Sequence, residues 1–191
     1  MINHQKAIAD IALEMMFPID PFAIVVGGAP RDWYFNKQAA DIDLFFYVGN
    51  NTSVTIVKSM LEHVGFVVKG CKDAHNLPEH YKKNPMLRCV FDAVNFNGQD
   101  VQLMLMRSST FKSVVPLFPL SICKAWYKNG TIMLDRDFER SVRYKAIVKT
   151  NELYSDEDAY LQKVLGKFPE YAYYESWRSV VVAELDKRGI K

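Results

Sequence analysis

Residues 25–47 constrain the fold more than any other stretch, because a strand, a glycine turn, a helix start and an acidic strand follow one another there. The run Phe22–Val26 is short and apolar and is closed by Gly27 and Gly28, which is typical of a buried strand entering a turn. Pro30 then favours the first turn of a helix, because proline already has the φ of that position and needs no amide proton there. The sequence therefore predicts a strand, a short helix and a second strand.

Two aspartates open the second predicted strand. Asp41 and Asp43 are separated by one residue, so both side chains are expected on the same face of the strand. Carboxylates at this spacing can hold Mg²⁺ or Mn²⁺ ions against a triphosphate. We expect a neighbouring strand to supply a third carboxylate for the metal site. Asp100, at the head of an alternating apolar run, is the first candidate and Asp92 is the reserve.

The glycine turn predicts a phosphate site. Gly27 and Gly28 let the backbone approach a bulky anion, and the amide groups of the following helix start favour negative charge. Arg31 would lie in the first turn, where its guanidinium fork can hold phosphate oxygens. Asp32 would orient Arg31 or a ribose hydroxyl. The alternative for these two residues is a surface ion pair at a helix start.

The remaining pattern predicts an α/β (α+β) fold, in which a small mixed sheet of about four or five strands carries the acidic site and helices flank it. Asn97-Gly98 predicts a tight hairpin between two β-rich runs. We expect a core at residues 1–115 that carries the acidic site, and a helical C-terminal portion at residues 116–191 packed on that core. Helices are predicted at His4–Met16, Arg31–Asn36, Val54–Val64, Ser121–Tyr127, 156–166 and 170–188.

Composition excludes several classes of protein. The net charge of +2 is too weak to indicate nucleic-acid binding by bulk charge. The three cysteines form no CxxC pair, which predicts a reducing, cytoplasmic setting. No run of apolar residues has the length of a membrane span, so no membrane partner is expected. A zinc site at Cys71, His75, His80 and Cys89 is disfavoured because the spacing matches no paired-ligand pattern.

Gly27-Gly28-Ala29-Pro30-Arg31-Asp32 followed by Asp41-Ile42-Asp43-Leu44 resembles the signature of the polymerase β nucleotidyltransferase superfamily. That signature is a strand, a Gly-Gly or Gly-Ser pair, a short helix and a hydrophobic-flanked Asp-x-Asp. The motif is most similar to the head of class II tRNA nucleotidyltransferases and bacterial poly(A) polymerases, and the chain length is similar to that of small members encoded by bacteriophages. The resemblance is specific over residues 25–47 and weaker through the Asp100 strand.

The resemblance implies transfer of a nucleoside monophosphate from a nucleoside triphosphate to a hydroxyl, with release of pyrophosphate. It makes Asp41, Asp43 and Asp100 the metal ligands, with Asp100 the base for the acceptor hydroxyl. The same match makes Gly27, Gly28 and Arg31 the triphosphate cradle. Pro30 departs from the branched apolar residue of the tRNA enzymes. The chain also ends before their neck, body and tail helices, so CCA addition itself is not expected.

The sequence is compatible with more than one acceptor and with a second function. The acceptor is an RNA 3′ end, a protein or a small molecule, and the rival function is a degenerate member that binds a host protein or a nucleotide without turnover. Asp100 sits in a turn, where acidic residues are ordinary. A second Asp-x-Asp, at Asp135 and Asp137, is interpreted as a helix cap. The aromatic run at residues 168–178 could stack on the bases of a single strand, although such aromatics are more often half-buried helix packing. Five basic residues could form a track toward the active site, which the salt dependence of binding would test: Arg136, Arg140, Arg143, Lys145 and Lys149.

Overall fold

The computed structural model describes residues 1–73, 76, 84–95, 97–109, 114–152 and 157–189. Six helices and nine strands lie in these ranges, with two short 3₁₀ turns at Val115–Leu117 and Ser121–Cys123. The elements in chain order are α1 (Ile2–Met16), β1 (Ile24–Val26), α2 (Gly28–Tyr34), β2 (Asp43–Phe46), α3 (Val54–His63), β3 (Val67–Asp73), β4 (Leu87–Val94), β5 (Asp100–Met106), β6 (Ala125–Lys128), β7 (Thr131–Leu134), α4 (Arg136–Tyr144), β8 (Ala146–Val148), α5 (Glu157–Lys167), β9 (Ala172–Tyr174) and α6 (Trp177–Lys187).

The main sheet has seven strands in the order β3-β4-β5-β2-β1-β6-β7. Neighbouring strands run antiparallel except β2 and β5, which are parallel. A separate pair, β8 and β9, is parallel. The predicted mixed α/β fold is confirmed, and helix α6 is the last element of the described chain, but the sheet is larger than the four or five strands that the sequence indicated. The portion predicted to be helical, residues 116–191, also contains strands β6 to β9.

The two faces of the sheet bury different residues because side chains alternate along each strand. One face packs Val25, Leu44 and Leu103 against α1 and α3. The opposite face of the sheet packs Val26, Phe45 and Met104 against the segment around Val115. Asp43 lies two residues before Phe45 and therefore opens onto this second face. Helices α1 and α3 thus cover one side of the sheet and leave room for a cleft on the other.

The predicted helix at Ser121–Tyr127 is wrong. Only Ser121–Cys123 forms a helical turn, and Ala125–Lys128 is strand β6. Asn129 and Gly130 have φ values of 50° and 76°, so they form a two-residue hairpin to β7. The same residue pair at Asn97-Gly98 correctly predicted the β4–β5 hairpin. β6 pairs with β1, so strands from both sides of residue 115 share one sheet.

Several smaller expectations have a definite outcome. Asp135 caps α4 by accepting a hydrogen bond from the Asp137 amide, as predicted. The four residues of the disfavoured zinc site cannot be compared as a set, because His75 and His80 lie outside the described residues. Cys71 and Cys89, distant in sequence, meet on β3 and β4 with their Sγ atoms 2.9 Å apart. Throughout the described ranges, no helix has the length and apolarity that crossing a bilayer requires.

Candidate active site

A cleft of about 310 Å³ lies where β1 ends and β2 begins. Val26, the last residue of β1, pairs with Asp43, the first residue of β2, so the glycine turn and the acidic strand meet at one point. The cleft is lined by six of the seven site residues that the sequence indicated: Gly27, Gly28, Arg31, Asp32, Asp41 and Asp43. Asp100 is absent from that lining.

Asp41 and Asp43 form the acidic pair of the cleft. Ile42, between them, is buried in the core on the helical side, so the two aspartates flank a residue that points the other way. Asp43 Oδ1 is shielded from solvent and has no hydrogen-bond partner among the described residues. Burial, together with the negative charge of Asp41, raises the pKa of the Asp43 carboxyl to about 7, while Lys163 acts in the opposite direction.

Gly27 is required by the position of Asp43. Its φ is +77°, which L side chains rarely adopt, and a Cβ at this residue would lie 2.8 Å from Asp43 Oδ2. Only glycine therefore fits between the end of β1 and the first carboxylate of β2. Gly27, one of the two glycines that the sequence assigned to phosphate binding, therefore also serves to admit the Asp43 side chain.

Arg31, Asp32 and Lys167 form an ion-pair cluster at the base of the cleft. Asp32 accepts a hydrogen bond from Arg31 Nε at 2.8 Å and from Lys167 Nζ at 2.5 Å. Arg31 Nη1 also donates to Cys123 Sγ at 3.3 Å. Burial lowers the pKa of the Arg31 guanidinium, but its electrostatic interactions with Cys123 and Asp32 more than offset that effect and the net pKa is raised. Much of the donor fork of Arg31 is therefore engaged inside the protein.

The α5 side of the cleft was missed by sequence reasoning. Tyr160, Lys163, Val164 and Lys167 all line the cleft, and their spacing of three and four residues places them on one face of the helix. The sequence predicted a helix near residues 156–166 but assigned none of these residues to the site. The sequence did contain one signal: Lys163 and Lys167 lie on the same helical face as the apolar Val164. Two lysines on a face that otherwise packs against the core indicate that this face borders a polar site.

Asp100 lies away from the acidic pair. Its side chain is 83% exposed and forms a 2.7 Å ion pair with Lys69 on β3. The residue of β5 in register with Asp43 is Gln102, two positions further along the strand. Asp92, the reserve candidate, is in register with Gln102 on β4 and pairs with Lys72 at 2.6 Å. The role of Asp100 as a third metal ligand remains a prediction.

The acidic pair has the chemistry of a small divalent-cation site. Carboxylate oxygens are the ligands that Mg²⁺ prefers, and the solvent-shielded Asp43 Oδ1 lacks any protein donor in the described part of the chain. A cation at this point would neutralise both carboxylates at once. In those same ranges, however, no group of three or more His, Cys, Asp or Glu side chains is arranged to hold a metal. The residues therefore fit a cation held by two carboxylates, with its remaining ligands from water or substrate.

No family model and no curated protein sequence matches the chain. Solved structures do match it. A structure described as a tRNA-processing enzyme in apo form I has a TM-score of 0.58 and 13% identity, and the match covers 96% of this chain and 47% of that one. The Thermotoga maritima CCA-adding enzyme complexed with tRNA gives a TM-score of 0.54 at 15% identity, covering 97% of this chain and 42% of that one.

A third match is a tRNA nucleotidyltransferase complexed with a primer tRNA and an incoming ATP analogue. Its TM-score is 0.51 at 15% identity, and the match covers 87% of this chain and 48% of that one. These similarities show that the chain has the fold found in tRNA nucleotidyltransferase structures, as the motif at residues 25–47 indicated. The chain spans less than half the length of each of these structures.

Proposed function

We propose that this chain is a divalent-cation-dependent nucleotidyltransferase that transfers a nucleoside monophosphate from a nucleoside triphosphate to a hydroxyl acceptor, releasing pyrophosphate. The observation that carries the proposal is Asp43, whose Oδ1 is buried without a partner among the described residues and lies beside Asp41 in the cleft. A buried carboxylate without a donor is costly unless a ligand completes it. A cation brought by a triphosphate meets that requirement.

Asp41 and Asp43 would hold Mg²⁺ or Mn²⁺, which neutralises the triphosphate and stabilises the charge that develops on pyrophosphate. Asp43 must be ionised to bind it, so its pKa of about 7 makes cation binding dependent on pH near neutrality. Gly27 keeps the backbone clear of the Asp43 carboxylate. Gly28 and Arg31 line the same cleft and are the proposed contacts for phosphate, with Asp32 orienting Arg31.

The choice of a nucleoside triphosphate as substrate rests partly on the similarity of fold to nucleotide-bound structures. Two of the matching structures are described as complexes of a CCA-adding enzyme with CTP and with ATP. The acceptor is less constrained. A structure with tRNA among the matches makes an RNA 3′ end the first choice, and protein or small-molecule hydroxyls are the other choices. The proteins in those structures are more than twice as long as the segment that matches, so acceptor recognition does not transfer with the fold.

The test is incubation of the protein with each α-labelled nucleoside triphosphate, Mg²⁺ or Mn²⁺, total RNA and total protein. Asp41→Asn and Asp43→Asn remove one negative charge each at nearly constant shape. Asp186→Asn, at an exposed position of α6 outside the cleft, is the matched control. We expect label transfer by the wild type and the control. We expect each cleft variant to lose at least about 100-fold, because even the groups that support metal ligands reach that effect.

The second candidate function is nucleotide binding without turnover. It is favoured by one observation: the β5 residue in register with Asp43 is the amide Gln102, and Asp100 is turned to Lys69. No label transfer with any nucleotide or acceptor, together with intact nucleotide binding, would establish this candidate. Absence of both binding and transfer would eliminate both functions.

A further inference from the structure

Lys163 differs from every other cation that lines the cleft. Arg31 and Lys167 are held by Asp32 through hydrogen bonds of 2.8 and 2.5 Å. Lys163 is exposed, and within the described residues it forms no hydrogen bond or ion pair. Among the described residues, the cleft therefore contains one lysine, Lys163, whose ammonium group is not paired with another protein group.

The position of Lys163 relates it to the acidic pair. Its charge acts on Asp43 and lowers the pKa of that carboxyl, against the larger effect of burial. Lys163 is nevertheless not bonded to either aspartate in the described structure. A flexible four-carbon stem with three rotatable donors can follow a phosphate group more readily than a guanidinium that is already fixed. The position of Lys163 in the cleft and the flexibility of its side chain both suit a contact with the phosphate groups of a bound nucleotide.

The charge balance of the cleft also favours a contact between the triphosphate and a cationic side chain of the protein. A nucleoside triphosphate brings several negative charges to a site that already contains Asp41 and Asp43. Asp32 is balanced by Arg31 and Lys167, so these two cations offer less attraction to a ligand than their number suggests. The β5 neighbour of Asp43 is the neutral Gln102, which leaves two carboxylates in the described cleft to attract a divalent cation.

We propose that Lys163 binds the triphosphate directly through its ammonium group, from the α5 side of the cleft, while Lys167 serves to fix α5 to Asp32. This inference rests on the proposed nucleotide site and adds the residue that recognises the phosphate chain. It predicts selectivity for triphosphate over monophosphate or nucleoside. The base is not the part of the ligand that Lys163 contacts.

The experiment is a calorimetric titration of the full chain with α,β-methylene analogues of the four nucleoside triphosphates in Mn²⁺, and with the corresponding monophosphates. The variants are Lys163→Ala and Lys163→Arg, with Gln162→Ala as the control at the adjoining exposed position of α5. Thermal unfolding of each variant verifies that the fold is intact. Lys163→Ala is expected to weaken triphosphate binding roughly 10- to 100-fold, the effect of one hydrogen bond between charged groups.

Lys163→Arg should retain most of the triphosphate affinity, and monophosphate affinity should change little in any variant. Equal triphosphate binding by wild type and Lys163→Ala would overturn this inference and leave the proposed function standing. An equal loss for triphosphate and monophosphate would also overturn it, because the effect would then not lie at the β- and γ-phosphates. If the wild type binds no triphosphate analogue, the proposed function fails and this inference fails with it.

Discussion

The ion-pair cluster and the acidic pair lie in one cleft, but the buried carboxylate oxygens are paired in the first, whereas one is unpaired among the described residues in the second. In the cluster, both oxygens of Asp32 are matched by Arg31 and Lys167. In the acidic pair, Asp43 Oδ1 is shielded from water and has no protein donor in the described ranges. The first arrangement joins α2 to α5 without a ligand. The second is incomplete without one, so the paired carboxylate of Asp32 indicates a structural role and the unpaired carboxylate of Asp43 indicates a binding role.

The largest expected effect on stability comes from breaking the cluster. Asp32→Ala leaves Arg31, with a side chain 6% exposed, without its carboxylate, and such a loss costs about 3–5 kcal/mol of unfolding free energy. Urea denaturation measures this change. The control is Glu62→Ala, which removes the half-exposed pair with Lys58 and should cost less than about 1 kcal/mol. Equal effects for the two variants would show that the cluster does not hold α2 to α5.

A smaller effect of opposite sign is expected at the acidic pair. The pKa of Asp43 is raised from 3.8 to about 7 in the fold, so the folded protein binds more protons than the unfolded chain between these values. Stability of the cation-free protein should therefore fall as pH rises from about 4 to about 7. Asp43→Asn removes this dependence and should gain about 2 kcal/mol at pH 8, after allowance for partial exposure.

The readout for Asp43→Asn is thermal unfolding without added cations at pH 5 and pH 8. A gain of 2 kcal/mol corresponds to a rise in Tm of roughly 4–8 °C for a chain of this size at pH 8, with little change at pH 5. A variant that is less stable than the wild type at pH 8 would mean that Asp43 already has a partner in the fold. The contrast between the two regions of the cleft would then disappear.

The smallest effect is expected at Asp100. Its ion pair with Lys69 is exposed on both sides, so Asp100→Asn should change unfolding free energy by less than about 1 kcal/mol. Label transfer should change by less than about two-fold, because the side chain lies outside the cleft. A loss of transfer as large as that of Asp43→Asn would identify Asp100 as the third ligand, as the sequence suggested.

The local motif could be predicted from the sequence because its chemistry is contiguous. The spacing within residues 25–47 predicts each part of the motif: the strand, the glycine turn, the helix start and the Asp-x-Asp. One antiparallel register, between β1 and β2, then brings Gly27 next to Asp43. The number of strands in the sheet could not be predicted, because an Asn-Gly pair such as Asn129-Gly130 can end a helix or form a hairpin turn. The choice depends on the pairing of β6 with β1, which is distant in sequence.

The far side of the cleft could not be predicted for a similar reason. Lys163 follows Asp43 by more than a hundred residues, so only tertiary packing brings α5 to the acidic pair. The third-ligand position depends on the register between the parallel strands β2 and β5. A register that placed Asp100 beside Asp43 would have satisfied the same hydrophobic pattern, since Asp100 and Gln102 lie on one face of β5.

The central claim is that Asp43, with Asp41, is left incomplete for a divalent cation. Its most direct test is titration with Mn²⁺, followed by the electron paramagnetic resonance of the free ion, with and without a non-hydrolysable triphosphate analogue. We expect wild-type binding to strengthen between pH 6 and pH 8 as Asp43 ionises, to persist in Asp100→Asn, and to be lost in Asp43→Asn. Undiminished binding by Asp43→Asn, or no binding by the wild type in either condition, would contradict the account.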